Sequence, residues 1–152
     1  MSEQITFTLD GTKVTTHGDE PIWEVAKRLG TDSPHLCHSD QPGYRSDGNC
    51  RACMVEINGE RVLAASCIRT PTEGMAVKTV SERAEKSRKM VMELLVADQP
   101  EVDHDASSHF NDMKALTGVS DSRFPAVAPE TVPLLDASHV AMSVNLDACI
   151  QC

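Results

Sequence analysis

Four cysteines between positions 37 and 67 constrain this chain more than any other feature. Cys37, Cys50, Cys53 and Cys67 follow the spacing C-x12-C-x2-C-x13-C. Thiolates are soft ligands that suit iron, and a two-iron core takes two thiolates on each iron. The spacing therefore predicts that these four cysteines bind the irons of a [2Fe–2S] cluster and that the chain carries electrons.

Zinc is the main alternative for the same cysteines, because C-x2-C also occurs in four-cysteine zinc modules. Such modules usually contain two C-x2-C pairs, and this stretch contains one. A redox-active dithiol formed by Cys50 and Cys53 is a third interpretation, but the flanking residues do not predict the strand-to-helix start of a thioredoxin-like site. The rival from a different functional class is thus a docking module with a four-cysteine zinc site.

The composition limits which classes of partner and which cellular compartment are compatible with this chain. The chain of 152 residues has a net charge of −9 and lacks the basic face that nucleic acid or an anionic membrane requires. No apolar run approaches the roughly 20 residues that span a bilayer, and the first residues lack the pattern of a leader. Six cysteines then favour metal binding in a reducing compartment. We expect a cytoplasmic protein that binds neither nucleic acid nor membrane.

The residues before the cysteines predict a hairpin followed by a helix. Alternating apolar residues on both sides of an Asp10-Gly11 turn should place Val14 opposite Phe7. Residues 22–29 then carry an apolar stripe at helical spacing that ends at Leu29. A helix that crosses a sheet is the simplest way to bury this stripe.

A second hairpin is predicted after the C-x2-C pair, and its turn sets the position of the fourth cysteine. Asn58-Gly59 is a two-residue turn signal, and the register that it implies places Cys67 opposite Cys50. Residues 32–50 lack periodicity and are rich in turn formers, which predicts a long functional loop. The site is therefore expected to lie between this loop and the hairpin.

A long helix is predicted next, with Ser81 as its cap and its end near Asp98. Its charged side chains, Arg88 among them, are expected to face solvent. Its buried stripe is expected to consist of Ala84, Val91, Leu94 and Leu95. A short helix over residues 108–116 and a polar C-terminal segment follow.

Three short stretches give the cysteine pattern a family resemblance. They are residues 34–37 (PHLC), 48–56 (GNCRACMVE) and 64–67 (AASC). They resemble the N-terminal ferredoxin domain shared by the large iron–sulfur subunit of respiratory complex I, the diaphorase subunit of NAD-linked hydrogenases, and the alpha subunit of NAD-dependent formate dehydrogenases that contain molybdenum or tungsten. The resemblance implies an α+β fold: a β-grasp [2Fe–2S] ferredoxin-like domain, then a long helix and an extended C-terminal segment.

The likeness to the formate dehydrogenase alpha subunit extends beyond the cysteines, over residues 90–100 (MVMELLVADQP), 122–125 (SRFP) and 144–152 (VNLDACIQC). It implies one-electron transfer between a molybdenum or tungsten site that oxidises formate and a flavin- and NAD-binding iron–sulfur subunit, both of them partners. A hydrogenase diaphorase subunit is the alternative. No catalytic constellation is present in the sequence, so the chain is expected to be the electron-transfer part of an oxidoreductase complex.

One motif of many relatives is missing after the long helix. These relatives carry His-x3-Cys-x2-Cys-x5-Cys for a [4Fe–4S] cluster, and counting from His104 the cysteine positions hold Ser108, Asn111 and Thr117. We therefore expect this cluster to be absent. His104 and His109 are then ordinary polar or capping residues.

The chain ends in half of another motif. Cys149 and Cys152 match the opening of C-x2-C-x2-C-x3-C, the ligand run of a bacterial-type [4Fe–4S] domain. Two thiolates do not complete such a cluster, so they are expected to be ligands only if the chain continues. We expect residues 1–80 to form the ferredoxin-like domain, 81–117 the long helix and the degenerate His/Cys-cluster segment, and 118–152 an extended linker that ends in this incomplete motif.

Overall fold

The N-terminal hairpin forms as its turn signal predicts. A computed structural model describes residues 4–39, 41–100, 107–128, 135–145 and 148–150. Strands β1 (Gln4–Leu9) and β2 (Thr12–His17) pair antiparallel with Phe7 opposite Val14. Asp10 and Gly11 adopt positive φ values of 48° and 84°, which this two-residue turn requires.

A mixed five-stranded sheet is the centre of the fold. Its further strands are β3 (Met54–Ile57), β4 (Ala64–Ala65) and β5 (Ala76–Lys78), and the strand order is β2-β1-β5-β3-β4. Strand β5 runs parallel to β1 and antiparallel to β3. Together with the helix packed on it, this sheet confirms the predicted α+β, β-grasp fold.

Helix α1 (Ile22–Arg28) covers one face of the sheet. Ile22, Val25 and Ala26 are buried in the main core, as the apolar stripe predicts. The extension of the stripe to Leu29 is wrong: this side chain is 48% exposed, because the helix ends at Arg28. The main core consists of Phe7, Leu9, Val14, Ile22, Val25, Ala26, Val55, Ile57, Met75 and Val77.

The second hairpin has a different register from the predicted one. Met54 pairs with Ala65 and Val55 with Ala64, so the connection is longer than the two residues Asn58-Gly59. The backbone N–H of Asn58 donates to the carbonyl oxygen of Ala76 at 2.8 Å, which keeps Asn58 in the ladder with β5 and without the positive φ of a tight turn. The chain therefore reverses only after Asn58, and the predicted pairing of Cys50 with Cys67 is wrong.

Two capped helices follow the sheet. Helix α2 (Glu82–Asp98) begins after Ser81, whose hydroxyl accepts from the backbone N–H of Ala84 at 3.2 Å, as predicted. Helix α3 (His109–Thr117) begins after Ser108, which accepts from the N–H of Asn111. Such side-chain acceptors satisfy first-turn donors that would otherwise lack a partner.

The buried face of α2 differs from the predicted stripe. Ala84, Arg88 and Met92 lie one turn apart and are buried, whereas Leu94 is 50% exposed. The expectation that Arg88 faces solvent is therefore wrong. Met92 joins a second core that links α2, α3 and the loop before Cys37, formed by Met92, Met113, Val119, Leu36, Leu95, Val96 and Phe110.

The C-terminal segment contains a separate hairpin. Strands β6 (Leu135–His139) and β7 (Met142–Asn145) pair antiparallel, and nearly all of their side chains are exposed. The sequence-based expectations for His104 and Cys152 fall outside the described residues. Within the described ranges, no helix combines the length and the apolar character that a membrane crossing requires.

The packing of α2 predicts different outcomes for two methionines of the same helix. Replacing the fully buried Met92 by alanine should lower the free energy of unfolding by about 2–5 kcal/mol, because it leaves a cavity in the second core. Met90 is 38% exposed, and Met90→Ala should cost less than about 0.5 kcal/mol. Urea unfolding followed by circular dichroism measures both. Equal losses would contradict this orientation of α2.

Candidate metal centre

The loop between α1 and β3 carries two of the four predicted cysteines. Cys37 is buried and Cys50 is half-buried. The Tyr44 hydroxyl donates to the carbonyl oxygen of Cys37 at 3.3 Å, which folds the loop back on itself. His38 fixes the loop from the other side, because its Nδ1 lies 2.5 Å from Ser46 Oγ and its Nε2 lies 3.0 Å from a Glu24 carboxylate oxygen on α1.

A tight bend presents the C-x2-C pair. Arg51 has a positive φ of 56°, which is uncommon for a residue other than glycine. The bend directs the backbone N–H of Ala52 to the sulfur of Cys50. Ala52 is completely buried, in accord with the need for a small side chain where backbone amides approach a sulfur.

The four cysteines form two thiol pairs. Cys53 packs with Cys67 in one cluster that also contains Trp23 and Ala65, and Cys50 acts on the pKa of the Cys37 thiol through its backbone and its side chain. The loop holds the first pair, and the bend together with the end of the second hairpin holds the other. In the described ranges, no group of three or more histidine, cysteine, aspartate or glutamate side chains is arranged around a single metal position. Two pairs of thiols match the two thiolates per iron that a two-iron core needs.

In the first pair the pKa of one thiol is lowered and the pKa of the other is raised. Burial opposes ionisation of Cys37, but hydrogen bonds from the backbone and side chain of Cys50 and from the backbone of Asn49 lower the pKa of its thiol. Burial raises the pKa of Cys50 above its ordinary value, although the backbone N–H groups of Ala52, Cys37 and Leu36 oppose this shift. Cys37 is thus the favoured thiolate of this pair.

In the second pair the pKa values of the two thiols are also shifted in opposite directions, and the shifts are larger. The hydrogen bond from the Cys67 side chain lowers the pKa of Cys53 to about 6, with further donors from Cys67 and Ser66 outweighing burial. The same hydrogen bond raises the pKa of Cys67, as do burial and the charges of the other cysteines. Each pair therefore favours a thiolate that accepts a hydrogen bond from its neighbour. Metal binding would displace the remaining proton of each pair.

The structure places Cys67 beside Cys53 instead of the expected partner Cys50. Ser66 donates to the carbonyl oxygen of Cys53 from its backbone N–H at 3.2 Å and from its hydroxyl at 2.8 Å. These bonds extend the observed register of β3 and β4 towards the site. The predicted position of Cys67 opposite Cys50 is therefore wrong, and the assignment of the four cysteines as ligands stays a prediction.

Trp23 contacts the site, and the sequence did not reveal this role of the tryptophan. Its side chain is only 4% exposed and packs with Cys53, Ala65 and Cys67. The indole N–H donates to the carbonyl oxygen of Ser33 at 3.3 Å. Helical spacing places Trp23 beside the apolar stripe of α1, but spacing does not specify what the ring contacts.

Arg45, His109 and Cys149 lie outside the two pairs. Arg45 is exposed and forms an ion pair with Asp47 at 3.1 Å. His109 donates from Nε2 to the carbonyl oxygen of His35 at 2.7 Å, which is an ordinary polar role. Cys149 is exposed. Its predicted part in a [4Fe–4S] site stays a prediction.

A comparison with protein families decides what kind of domain this is. The model of a family described as a 2Fe-2S iron-sulfur cluster binding domain matches residues 2–82, more than half of the chain. The chain belongs to this family. The cofactor of this [2Fe–2S] domain is accordingly a two-iron, two-sulfide cluster, as the cysteine spacing predicts.

The [2Fe–2S] domain and the residues after it have relatives among subunits of larger enzymes. A subunit of the NADH-quinone oxidoreductase of Streptomyces coelicolor is 37% identical over 126 residues, which are 79% of this chain and 15% of the relative. The NADP-reducing hydrogenase subunit HndD of Solidesulfovibrio fructosivorans is 37% identical over 99 residues, 63% of this chain and 17% of the relative. The chain thus spans less than a fifth of the length of these relatives.

A solved structure extends the likeness beyond the [2Fe–2S] domain. A crystal structure of NAD+-reducing [NiFe]-hydrogenase in the H2-reduced state superposes with a TM-score of 0.82 at 28% sequence identity. The superposition covers 97% of this chain and 62% of the hydrogenase chain. The helices after the sheet therefore belong to the shared architecture.

Gly48 provides a test of how tightly the loop must close over the site. Its φ is 69°, and a Cβ at this position would lie 2.6 Å from the Cδ1 atom of Ile68, the residue after Cys67. Gly48→Ala should therefore lower the free energy of unfolding by about 1–2 kcal/mol through backbone strain and should also speed loss of the cluster. The measurements are chemical unfolding and the decay of cluster absorbance in a chelator.

Gly43 is the matched control, because its φ is 82° and nothing lies within 4 Å of the position of a Cβ. Gly43→Ala should show the strain without faster cluster loss. Adding Ile68→Ala to Gly48→Ala should restore part of the cluster lifetime. Identical cluster lifetimes for both glycine variants would contradict the proposed closure.

Proposed function

We propose that Cys37, Cys50, Cys53 and Cys67 are the four ligands of the [2Fe–2S] cluster. Cys37 and Cys50 bind one iron, and Cys53 and Cys67 bind the other. The observation that carries this assignment is the packing of Cys53 with Cys67, which leaves Cys37 and Cys50, both on the loop between α1 and β3, as the other pair. The family match supports the cofactor, and the geometry supports the pairing.

The protein's own residues prepare the site for electron transfer. When bound, a [2Fe–2S] cluster accepts and gives up one electron at a time. Burial of Cys37, Cys53 and Cys67 excludes water from most of the site. Backbone N–H donors to the sulfurs stabilise negative charge on them, which tunes the reduction potential. Half-buried Cys50, next to exposed Arg51, marks the side from which an electron enters or leaves.

We infer that the chain is a one-electron carrier within an NAD-linked oxidoreductase complex in the cytoplasm. Relatives of this chain include subunits named for NADH-quinone oxidoreductase, NADP-reducing hydrogenase and NAD+-reducing hydrogenase. A flavin- and NAD-binding iron–sulfur subunit is the partner that such chemistry requires. The chain supplies the electron path, and catalysis belongs to other parts of the complex.

Formate is the proposed electron source, through a site that contains molybdenum or tungsten. The support comes from the stretches that resemble the formate dehydrogenase alpha subunit. Two of them contact each other, because Arg123 forms an ion pair with Glu93 on α2 at 3.0 Å. The backbone N–H of Val127 also donates to the carbonyl oxygen of Ala97 at 2.8 Å. Residues 90–100 and 122–125 therefore form one packed unit.

The second candidate is the diaphorase subunit of an NAD-linked hydrogenase. The specific observation in its favour is the superposition on the NAD+-reducing hydrogenase, which covers 97% of this chain. The two candidates place the same cluster in the same path. They differ in the enzyme that delivers the electrons.

The ligand assignment predicts the metal content and the spectra of the purified chain. Protein purified without oxygen should contain about two irons per chain, bleach on addition of dithionite and then show the EPR signal of a reduced two-iron cluster. A colourless sample loaded with zinc would instead support the docking module. Each of Cys37→Ser, Cys50→Ser, Cys53→Ser and Cys67→Ser should abolish or strongly alter the EPR signal, because each removes one thiolate from an iron.

Cys149→Ser is the matched control for these variants, because Cys149 is exposed and lies outside the two pairs. It should leave the iron content and the signal of the two-iron cluster unchanged. An unchanged spectrum in any of the four ligand variants would refute that ligand.

Purification of the native complex through a tag on this chain tests the electron source. The complex should reduce NAD with formate and contain molybdenum or tungsten. Reduction of NAD with hydrogen, together with nickel in the complex, would replace the formate proposal by the hydrogenase one. Absence of both activities, with zinc in place of iron, would end the electron-carrier proposal.

A further inference from the structure

Arg88 is a buried cation in the middle of the inner face of α2. It lies one turn after Ala84 and one turn before Met92, and all three side chains are buried. Only 7% of Arg88 is exposed. Burying a guanidinium costs free energy unless other groups compensate its charge, so its surroundings need an explanation.

The contacts of Arg88 do not neutralise it. Its guanidinium donates to the carbonyl oxygen of Thr79, which is a neutral acceptor. In the part of the chain that the structure describes, the ion pairs are formed by other cations. Glu85 and Asp10 are the carboxylates whose charges raise the pKa of Arg88, and both are exposed, so water screens them.

The Cys53 site lies at the start of the strand against which α2, the helix of Arg88, packs. Helix α2 packs against β3, the strand that begins immediately after Cys53, and Cys53 is completely buried. Burial lowers the pKa of Arg88, and the charges of Glu85, Cys53 and Asp10 oppose this shift. Of these three groups only Cys53 is buried with it. Arg88 and Cys53 are therefore both buried where α2 packs against the start of β3.

We propose that the buried guanidinium of Arg88 is a determinant of the cluster's reduction potential and that it raises this potential. The inference rests on the proposed role of Cys53 as a ligand. Reduction adds one electron to the bound cluster, while no bond forms or breaks and no proton is transferred. The added negative charge is stabilised by a cation that the low-dielectric interior leaves unscreened. Arg88 lies outside the residues that the family model matches, so α2 contributes to the site from beyond that domain.

The test is an EPR-monitored redox titration of the whole chain with its cluster, with dithionite as the electron donor. Arg88→Gln removes the charge and keeps a donor for the Thr79 carbonyl, and Arg88→Met removes both. Each should lower the ratio of reduced to oxidised cluster at a fixed potential about tenfold, a shift of about 59 mV for a one-electron couple. Arg88→Lys keeps the charge and should stay close to the wild-type potential.

Arg83 is the matched control on the same helix. Its side chain is 48% exposed and lies 3.6 Å from a Glu56 carboxylate oxygen. Arg83→Gln removes the same formal charge from a solvated position, so it should shift the potential far less than Arg88→Gln, and its shift should shrink further in high salt. The shift caused by Arg88→Gln should change little with salt.

The outcomes separate this inference from the ligand assignment. A wild-type chain without the signal of a two-iron cluster would refute the ligand assignment itself. A normal signal with equal shifts in the Arg83 and Arg88 variants, or with no shift in Arg88→Gln, would overturn only the role of Arg88. Loss of the cluster from both neutral Arg88 variants would also overturn it, because the charge would then serve cluster retention.

Discussion

The hydrogen bonds of Ser66 hold the parts of this molecule that must meet at the cysteines. Its hydroxyl and its backbone N–H both donate to the carbonyl oxygen of Cys53, and its own carbonyl oxygen accepts from the backbone N–H of Trp23 at 3.0 Å. One residue thus joins the C-x2-C bend, the end of the second hairpin and the start of α1. Because Ser66 is only 1% exposed, water does not compete for these bonds. The position of Cys67 beside Cys53 follows directly.

The site and the main core are neighbouring but separate structures. The ten residues of the main core are almost all aliphatic and lie between α1 and the sheet, whereas Trp23, Cys53, Ala65 and Cys67 form a small cluster of their own. The sheet and α1 therefore form the base of the site, and the loop from α1 to β3 carries Cys37 and Cys50. Helix α2 adds the second core and a buried charge.

The sequence predicted the elements well where a local signal determines them. The Asp10-Gly11 turn defined the register of β1 and β2, and Ser81 marked the start of α2, because both signals act over a few residues. The Asn58-Gly59 signal failed because β5, which is distant in sequence, holds Asn58 in the sheet. Arg88 was predicted to face solvent because it is one of the charged residues of α2. Helical spacing shows which residues share a face, but it does not show which groups of a neighbouring element lie against them. The cysteine spacing predicted a [2Fe–2S] domain, whereas the position of Cys67 beside Cys53 depends on tertiary contacts that spacing does not show.

We propose that the cluster ligands divide into Cys37 with Cys50 on one iron and Cys53 with Cys67 on the other. Paramagnetic proton NMR of the reduced protein tests it most directly, because cysteine β-protons on the ferric and ferrous irons differ in the temperature dependence of their shifts. With the four cysteines assigned individually, Cys37 and Cys50 should share one temperature dependence, and Cys53 and Cys67 the other. A spectrum in which Cys50 groups with Cys53 or with Cys67 would contradict the account.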